Sequence, residues 1–177
     1  MSKRVSLSLA VWLGLAASAG AQQVTKPAVE GVTNFAKLES TVACAGATKA
    51  TAVPEIKKMG FASIINLRLP TEAGANVDGE AAAAKTAGIK FYSIPFSGQS
   101  PDPAVADKFL ATITAPGNEP AYIHCAAGNR AGAMWMIKRL AVDHWDTERA
   151  YTEAAALGLT SPALKQFAID YAQSHKR

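Results

Sequence analysis

The sequence predicts a layered α/β domain built on a largely parallel sheet of about four to five strands flanked by helices. Three observations carry this. Short apolar, β-branched runs alternate with helical patterns through most of the chain. Gly and Pro punctuate the ends of those runs, as in Gly60, Pro70, Gly88 and Pro95. The length of 177 residues suffices for one domain with its own core and is too short for two ordinary ones. Neither an internal repeat nor a low-complexity linker interrupts the pattern.

The chain opens with MSKRVSLSLAVWLGLAASAGAQQ, which has a basic start at Lys3 and Arg4, an apolar middle from Val5 to Ala17, and small residues at Ala19–Ala21 before Gln22. This is the grammar of a secretory signal peptide. A membrane anchor is the alternative, but the apolar run falls short of the roughly 20 residues that a spanning helix needs. The expected organisation is a signal peptide over 1–21, a polar lead over 22–32 and the α/β domain over 33–174. The mature protein is expected to be periplasmic or secreted, with no stable membrane insertion after cleavage.

After the lead, STVACAG reads as a strand and VPEIKKMG as a short helix ending at Gly60. FASIINL is a buried-strand pattern. VDGEAAAAKTAG is an Ala-rich helix with Gly88 as its stop, and IKFYSIPF is the next strand. A turn-rich loop, SGQSPDP, leads to the helix AVADKFLATIT, whose first residue is expected to be Pro103. PAYIH is a strand and AGAMWMIKRLAVD an amphipathic helix with Met134, Ile137, Leu140 and Ala141 at helical spacing. DTERAYTEAAALG and SPALKQFAIDYAQ are the closing helices.

Loss of Lys3 and Arg4 with the signal peptide lowers the formal net charge from +4 to +2. Lys and Arg are scattered, with no basic block or aromatic-interleaved stripe, so no nucleic-acid partner is expected. Nor does the sequence point to a metal or other cofactor. Cys44 and Cys125 are the only cysteines. An oxidising compartment permits a disulfide, yet a domain of this size does not need one, which leaves at least one working thiol as the expectation.

Cys125 ends the PAYIH strand, where ligands gather in a parallel sheet. Ala126, Ala127, Gly128 and Asn129 are small enough for the backbone to curl so that successive N–H groups converge, and a helix N-terminus follows. That is an anion-binding nest. The helix end and Arg130 would stabilise a thiolate at Cys125, and Arg130 could hold an oxyanion by two parallel hydrogen bonds. The alternative is a small buried residue ending a strand. His124 is expected to support the loop through a local hydrogen bond, since no other His or Cys lies at metal-ligand spacing.

The segments GFASIINLR, PTEAG, GIKFYSIPF, HCAAGNRAG and ERAYTEAAALGL follow in an order that resembles the bacterial β-lactamase-hydrolase-like phosphatase domain, a branch of the cysteine-dependent protein tyrosine and dual-specificity phosphatases. The resemblance runs from about Thr33 to Leu159. It implies a single phosphatase-like α/β domain in which Cys125 attacks phosphorus through a thiophosphoryl-enzyme intermediate and Arg130 binds the phosphoryl oxygens. Backbone amides of residues 126–130 would stabilise the equatorial charge. The implied partner is a phosphorylated substrate, protein or small molecule.

Two features depart from the usual phosphatase pattern. Four residues rather than five separate Cys125 from Arg130, a spacing similar to the rhodanese sulfurtransferases, and Ala131 replaces the hydroxyl residue that commonly follows the Arg. A sulfurtransferase carrying a Cys125 persulfide and a non-catalytic oxyanion-binding module therefore stay open. For a general acid, Asp102 is the candidate, with Asp107 the weaker one. Asp before Pro at a helix start is equally a helix cap. Arg68 and Glu72 are expected to form a surface ion pair or to border the pocket. Cys44 is either a core residue or the partner of Cys125 in a redox-sensitive disulfide.

Overall fold

A computed structural model describes residues 23–175, so the expected signal peptide lies outside them. Six short strands form one sheet: β1 Val24–Thr25, β2 Ala36–Leu38, β3 Val42–Ala45, β4 Ser63–Asn66, β5 Lys90–Ser93 and β6 Ala121–His124. Their spatial order is β1-β2-β3-β6-β4-β5. The four strands from β3 to β5 are mutually parallel, whereas β1, β2 and β3 pair antiparallel at one edge. The mostly parallel α/β expectation holds, with two strands added at the edge. Both additions lie in sequence too short and too polar to show a period of two.

The helices are α1 Val53–Lys58, α2 Val77–Ala87, α3 Pro103–Ile113, α4 Asn129–Ala141, α5 Thr147–Ala156 and α6 Pro162–Ser174. α3 does begin at Pro103, which needs no donor there. α2 stops where Gly88 turns left-handed at φ 65°. α1 and α2 cover one face of the sheet, where Ile56, Phe61, Ile64, Ala84 and Tyr122 pack together. α3 to α6 contribute to the larger core on the other face, around Ile65, Phe109, Ile123, Met134 and Trp135.

α4 differs from its expected amphipathic form. Residues Ala131 to Arg139 are all buried, because α4 packs against α5 and α6 as well as against strands β3 and β6. Its cations are accommodated by partners on α5 and in the turn before it. The Arg139 guanidinium lies 4.5 Å from the Trp135 ring and donates from Nε to Glu153 at 2.6 Å. Lys138 donates to Asp143 at 3.0 Å. Paired in this way, charged residues can sit at a buried helix surface. Gly132 permits the close approach: a Cβ there would stand 2.9 Å from the main-chain nitrogen of Leu159.

Among the described residues, no helix is long and apolar enough to cross a membrane, and no cluster of three or more His, Cys, Asp or Glu side chains could hold a metal ion.

Candidate active site

Alternation along β6 decides which side chains share the site. Tyr122 joins the core on the α1 and α2 face, whereas Ile123 and Cys125 join the core on the α4 face. Cys125 thus stands one residue past the carboxyl end of β6 and directly before the loop that enters α4. The residue is only 1% exposed. The sulfur accepts a hydrogen bond from the Gly128 N–H at 3.1 Å.

The loop bends because Gly128 takes φ 102°, a conformation that costs glycine little. Asn76, Asp102, Asp146 and Ser161 cap α2, α3, α5 and α6 with side-chain acceptors. α4 has no side-chain cap. The first N–H groups of a helix lack intrahelical acceptors and carry the positive end of its dipole, so the start of α4 is left open to an anion.

Arg130 sits in the first turn of α4. Its Nη1 donates to the carbonyls of Leu67 at 3.1 Å and Phe96 at 2.8 Å, and to Glu72 Oε1 at 2.5 Å. Nη2 donates to Glu72 Oε2 at 2.8 Å. The two Glu72 bonds occupy the end-on fork of the guanidinium and leave the side-on fork, Nε with the second N–H of Nη2. Burial acts to lower the Arg130 pKa, but the Glu72 hydrogen bond and the charges of Cys125 and Glu72 outweigh it, and the pKa is raised.

Glu72 is the residue whose role the sequence understates. Its carboxyl pKa is lowered to about 2, chiefly by the hydrogen bond from Arg130, with further help from the Leu69 N–H and Arg68. Arg68 and Glu72 do pair, but they border the site as the alternative had it rather than lying on the surface. Arg68 is buried and reaches Glu72 at 3.4 Å, while its other nitrogens donate to Ala73 O at 2.6 Å and Gly74 O at 3.0 Å. It shapes the loop from which Glu72 grips Arg130. The signal for this was the acid in PTEAG at the end of a parallel strand, where site residues collect.

His124 is fully buried, and its Nε2 lies 2.9 Å from Glu80 Oε2 on α2. That contact lacks hydrogen-bond alignment, so both ring nitrogens and Glu80 Oε1 are without a hydrogen-bond partner among the described residues. Asn66 links the region to the Arg68 loop, donating to Glu80 Oε2 at 3.0 Å and accepting the Arg68 N–H at 2.7 Å.

Outside the nest, Asn129 Oδ1 accepts from Thr160 N at 2.7 Å and Ser161 N at 2.8 Å, tying α4 to the start of α6. Ala126 and Ala127 are exposed. Beside Ala127 and Asn129 opens a cleft of about 670 Å³, bordered also by Lys26, Phe35 and Leu157.

Asp102 is exposed and caps α3, its Oδ1 accepting the Ala104 N–H at 2.9 Å. The segment leading to it touches the site: a Cβ at Gly98 would stand 3.6 Å from Arg130 Cγ. Asp107 is turned to α6, where it accepts the Tyr171 hydroxyl at 2.5 Å.

Cys44 and Cys125 are both free and buried, on the same face of the sheet. Cys44 pairs in register with Ile123, two residues before Cys125. A diagonal relation of that kind separates Cα atoms by roughly 7–8 Å, beyond the usual disulfide span of about 4.4–6.8 Å. Burial, and then the nearby charges of Cys125 and Glu153, push the Cys44 thiol pKa up.

Residues 34–142 match the family described as beta-lactamase hydrolase-like protein, phosphatase-like domain, and the chain belongs to that family. No curated protein matches it. Several solved structures share the fold. A DUF442 protein from Shewanella putrefaciens CN-32 has 18% identity over 84% of this chain and 97% of its own, with a TM-score of 0.69. The core catalytic domain of the PP-IP phosphatase SIW14 from S. cerevisiae, in complex with citrate, has 21% identity over 81% and 88%, with a TM-score of 0.65. A variant of P. aeruginosa TpbA in complex with pTyr has 16% identity over 89% and 90%, with a TM-score of 0.59. At these identities the likeness is one of fold.

Proposed function

We propose that this member of the beta-lactamase hydrolase-like phosphatase-like domain family is an exported, cysteine-dependent phosphoric monoester hydrolase. The observation that carries the reading is the Gly128 N–H on the Cys125 sulfur at 3.1 Å, set at an uncapped helix start beside an Arg130 whose end-on fork is already fixed by Glu72. Such a cradle favours the equatorial oxygens of a phosphoryl group.

In the first step the Cys125 thiolate attacks phosphorus, forming a P–S bond as the P–O bond to the leaving group breaks. The side-on fork of Arg130 and the amides of Ala126, Ala127, Gly128, Asn129 and Arg130 take the oxygens. Asp102 gives its proton to the departing oxygen. Its Oδ1 is occupied as a helix cap, so Oδ2 is the atom for this transfer. Water then attacks phosphorus and returns a proton to Asp102. The P–S bond breaks, releasing phosphate and regenerating the thiolate. The substrate is a phosphorylated protein or small molecule.

Export rests on the sequence over 1–21, and Gln22 would be the mature N-terminus. N-terminal sequencing from the native host tests it, and a retained Met1 would contradict it. For the chemistry, purified protein is assayed with an aryl phosphate and, separately, with thiosulfate plus cyanide, alongside Cys125→Ser. Release of phosphate that disappears in Cys125→Ser is expected. Thiocyanate formation without phosphate release would point instead to a persulfide carrier, as the four-residue spacing between Cys125 and Arg130 allows.

A further inference from the structure

The first three residues of the nest have no side chain that could hold its shape. Ala126, Ala127 and Gly128 carry at most a methyl group, and Gly128 at φ 102° has nothing closer than 3.9 Å to the place where its Cβ would be. Glycine admits both orientations of the peptide plane before it at little cost. Rotation of the Ala127–Gly128 peptide would carry the Gly128 N–H off the sulfur and aim a carbonyl at it. The correct orientation therefore needs a hold from outside the loop.

A trans peptide is planar, with its C=O and N–H pointing in opposite directions. An acceptor held on the outside therefore fixes a donor on the inside. Asn34 supplies that hold: its Nδ2 donates to Ala127 O at 3.1 Å, and the N–H of the same peptide plane meets Cys125 Sγ at 3.1 Å. Only the nitrogen of the Asn34 amide can face a carbonyl oxygen. The neighbouring plane repeats the device, with Ala47 N–H donating to Ala126 O at 2.9 Å and so turning the Ala127 N–H inward.

Asn34 stands just before β2 with φ 50°, a left-handed conformation that Asn tolerates better than most residues. We propose that Asn34 is a positioning residue of the oxyanion loop, holding the Ala127 carbonyl outward so that the Gly128 N–H stays on Cys125. The proposal rests on the reading of Cys125 as the nucleophile.

The test compares Asn34→Gly and Asn34→Asp with the unaltered protein. Glycine accepts φ 50° and removes only the donor; aspartate keeps the shape but presents an oxygen to the Ala127 carbonyl. Three quantities are read: the Gly128 amide proton chemical shift, kcat/KM for an aryl phosphate, and Tm. In Asn34→Gly the Gly128 proton is expected to move upfield and kcat/KM to fall about tenfold, with Tm within about 3 °C of the parent. Asn34→Asp is expected to lose more of both signals.

An unchanged Gly128 shift in an active Asn34→Gly overturns the proposal and leaves the phosphatase reading in place. A shifted Gly128 in a protein whose parent hydrolyses no phosphate sinks the phosphatase reading and upholds the loop geometry. A loss of activity that appears only in step with a falling Tm, without the Gly128 signature, assigns Asn34 to the scaffold and overturns the proposal.

Discussion

Replacing Glu72 by Gln keeps the size of the side chain and an oxygen for Arg130 but removes the charge that meets the Arg130 fork at 2.5 Å and 2.8 Å. A carboxyl held at about 2 instead of the ordinary 4.5 corresponds to roughly 3 kcal/mol of interaction. Its side chain is 21% exposed, and solvent screening reduces this to about 2 kcal/mol. Because the folded-state pKa is depressed, the stabilisation is complete above about pH 4.5 and is lost as pH falls through about 2. Urea unfolding of the parent and of Glu72→Gln across this range should show a gap near 2 kcal/mol at neutral pH that closes towards pH 2. The freed Arg130 should also lower kcat/KM for an aryl phosphate by about tenfold or more. A gap that does not change with pH, or a variant as stable and as active as its parent at pH 7, would refute the clamp.

Asp102→Asn keeps the α3 cap, since Asn caps a helix as well as Asp does, so Tm should stay while kcat falls about 100-fold or more for an alkyl phosphate and much less for a nitrophenyl phosphate. An equal fall on both substrates would remove Asp102 as the proton donor. Gly132→Ala places a Cβ 2.9 Å from Leu159 on a rigid helix contact and should destabilise by about 1–3 kcal/mol, read as a lowered urea midpoint. After mild oxidation no Cys44–Cys125 disulfide should form, because the Cys44 to Ile123 register holds Cys44 diagonal to Cys125; a disulfide-linked pair of peptides containing Cys44 and Cys125 in a monomer digest would show that the strands shift enough to join them.

Most of the parallel scaffold was legible because its strands are buried on both faces and read as apolar runs, as SIIN and AYIH do. The helices announced their limits through Pro103 and Gly88. β1 and β2 were not legible. Two and three residues with Lys37 at the centre show no period, and they are strands only because β3 offers them an edge. α4 misled differently: its Lys138 and Arg139 imply an exposed face, and contacts with Trp135, Asp143 and Glu153 among others allow them to be buried.

The nest itself could be read from HCAAGNRAG, since small residues between a strand-ending Cys and an Arg have few other uses. Its supports were less plain. Glu72 showed only as an acid after a parallel strand, with Arg130 58 residues away, and Asn34, 93 residues from the carbonyl it binds, carries no local mark. Asp102 illustrates the opposite difficulty, because an Asp-Pro step at a helix start reads equally as a cap and as a candidate acid, and the structure shows the cap.

The central claim is that Cys125 carries the phosphoryl group. Mixing the protein with an aryl phosphate, quenching in acid within the first turnover and digesting for mass spectrometry tests it directly. The account predicts one phosphoryl group on the peptide containing Cys125, formed and lost at rates compatible with kcat, and absent from Cys125→Ser. Phosphate release at full rate with that peptide unmodified throughout, or a phosphoryl group on another residue, would contradict it.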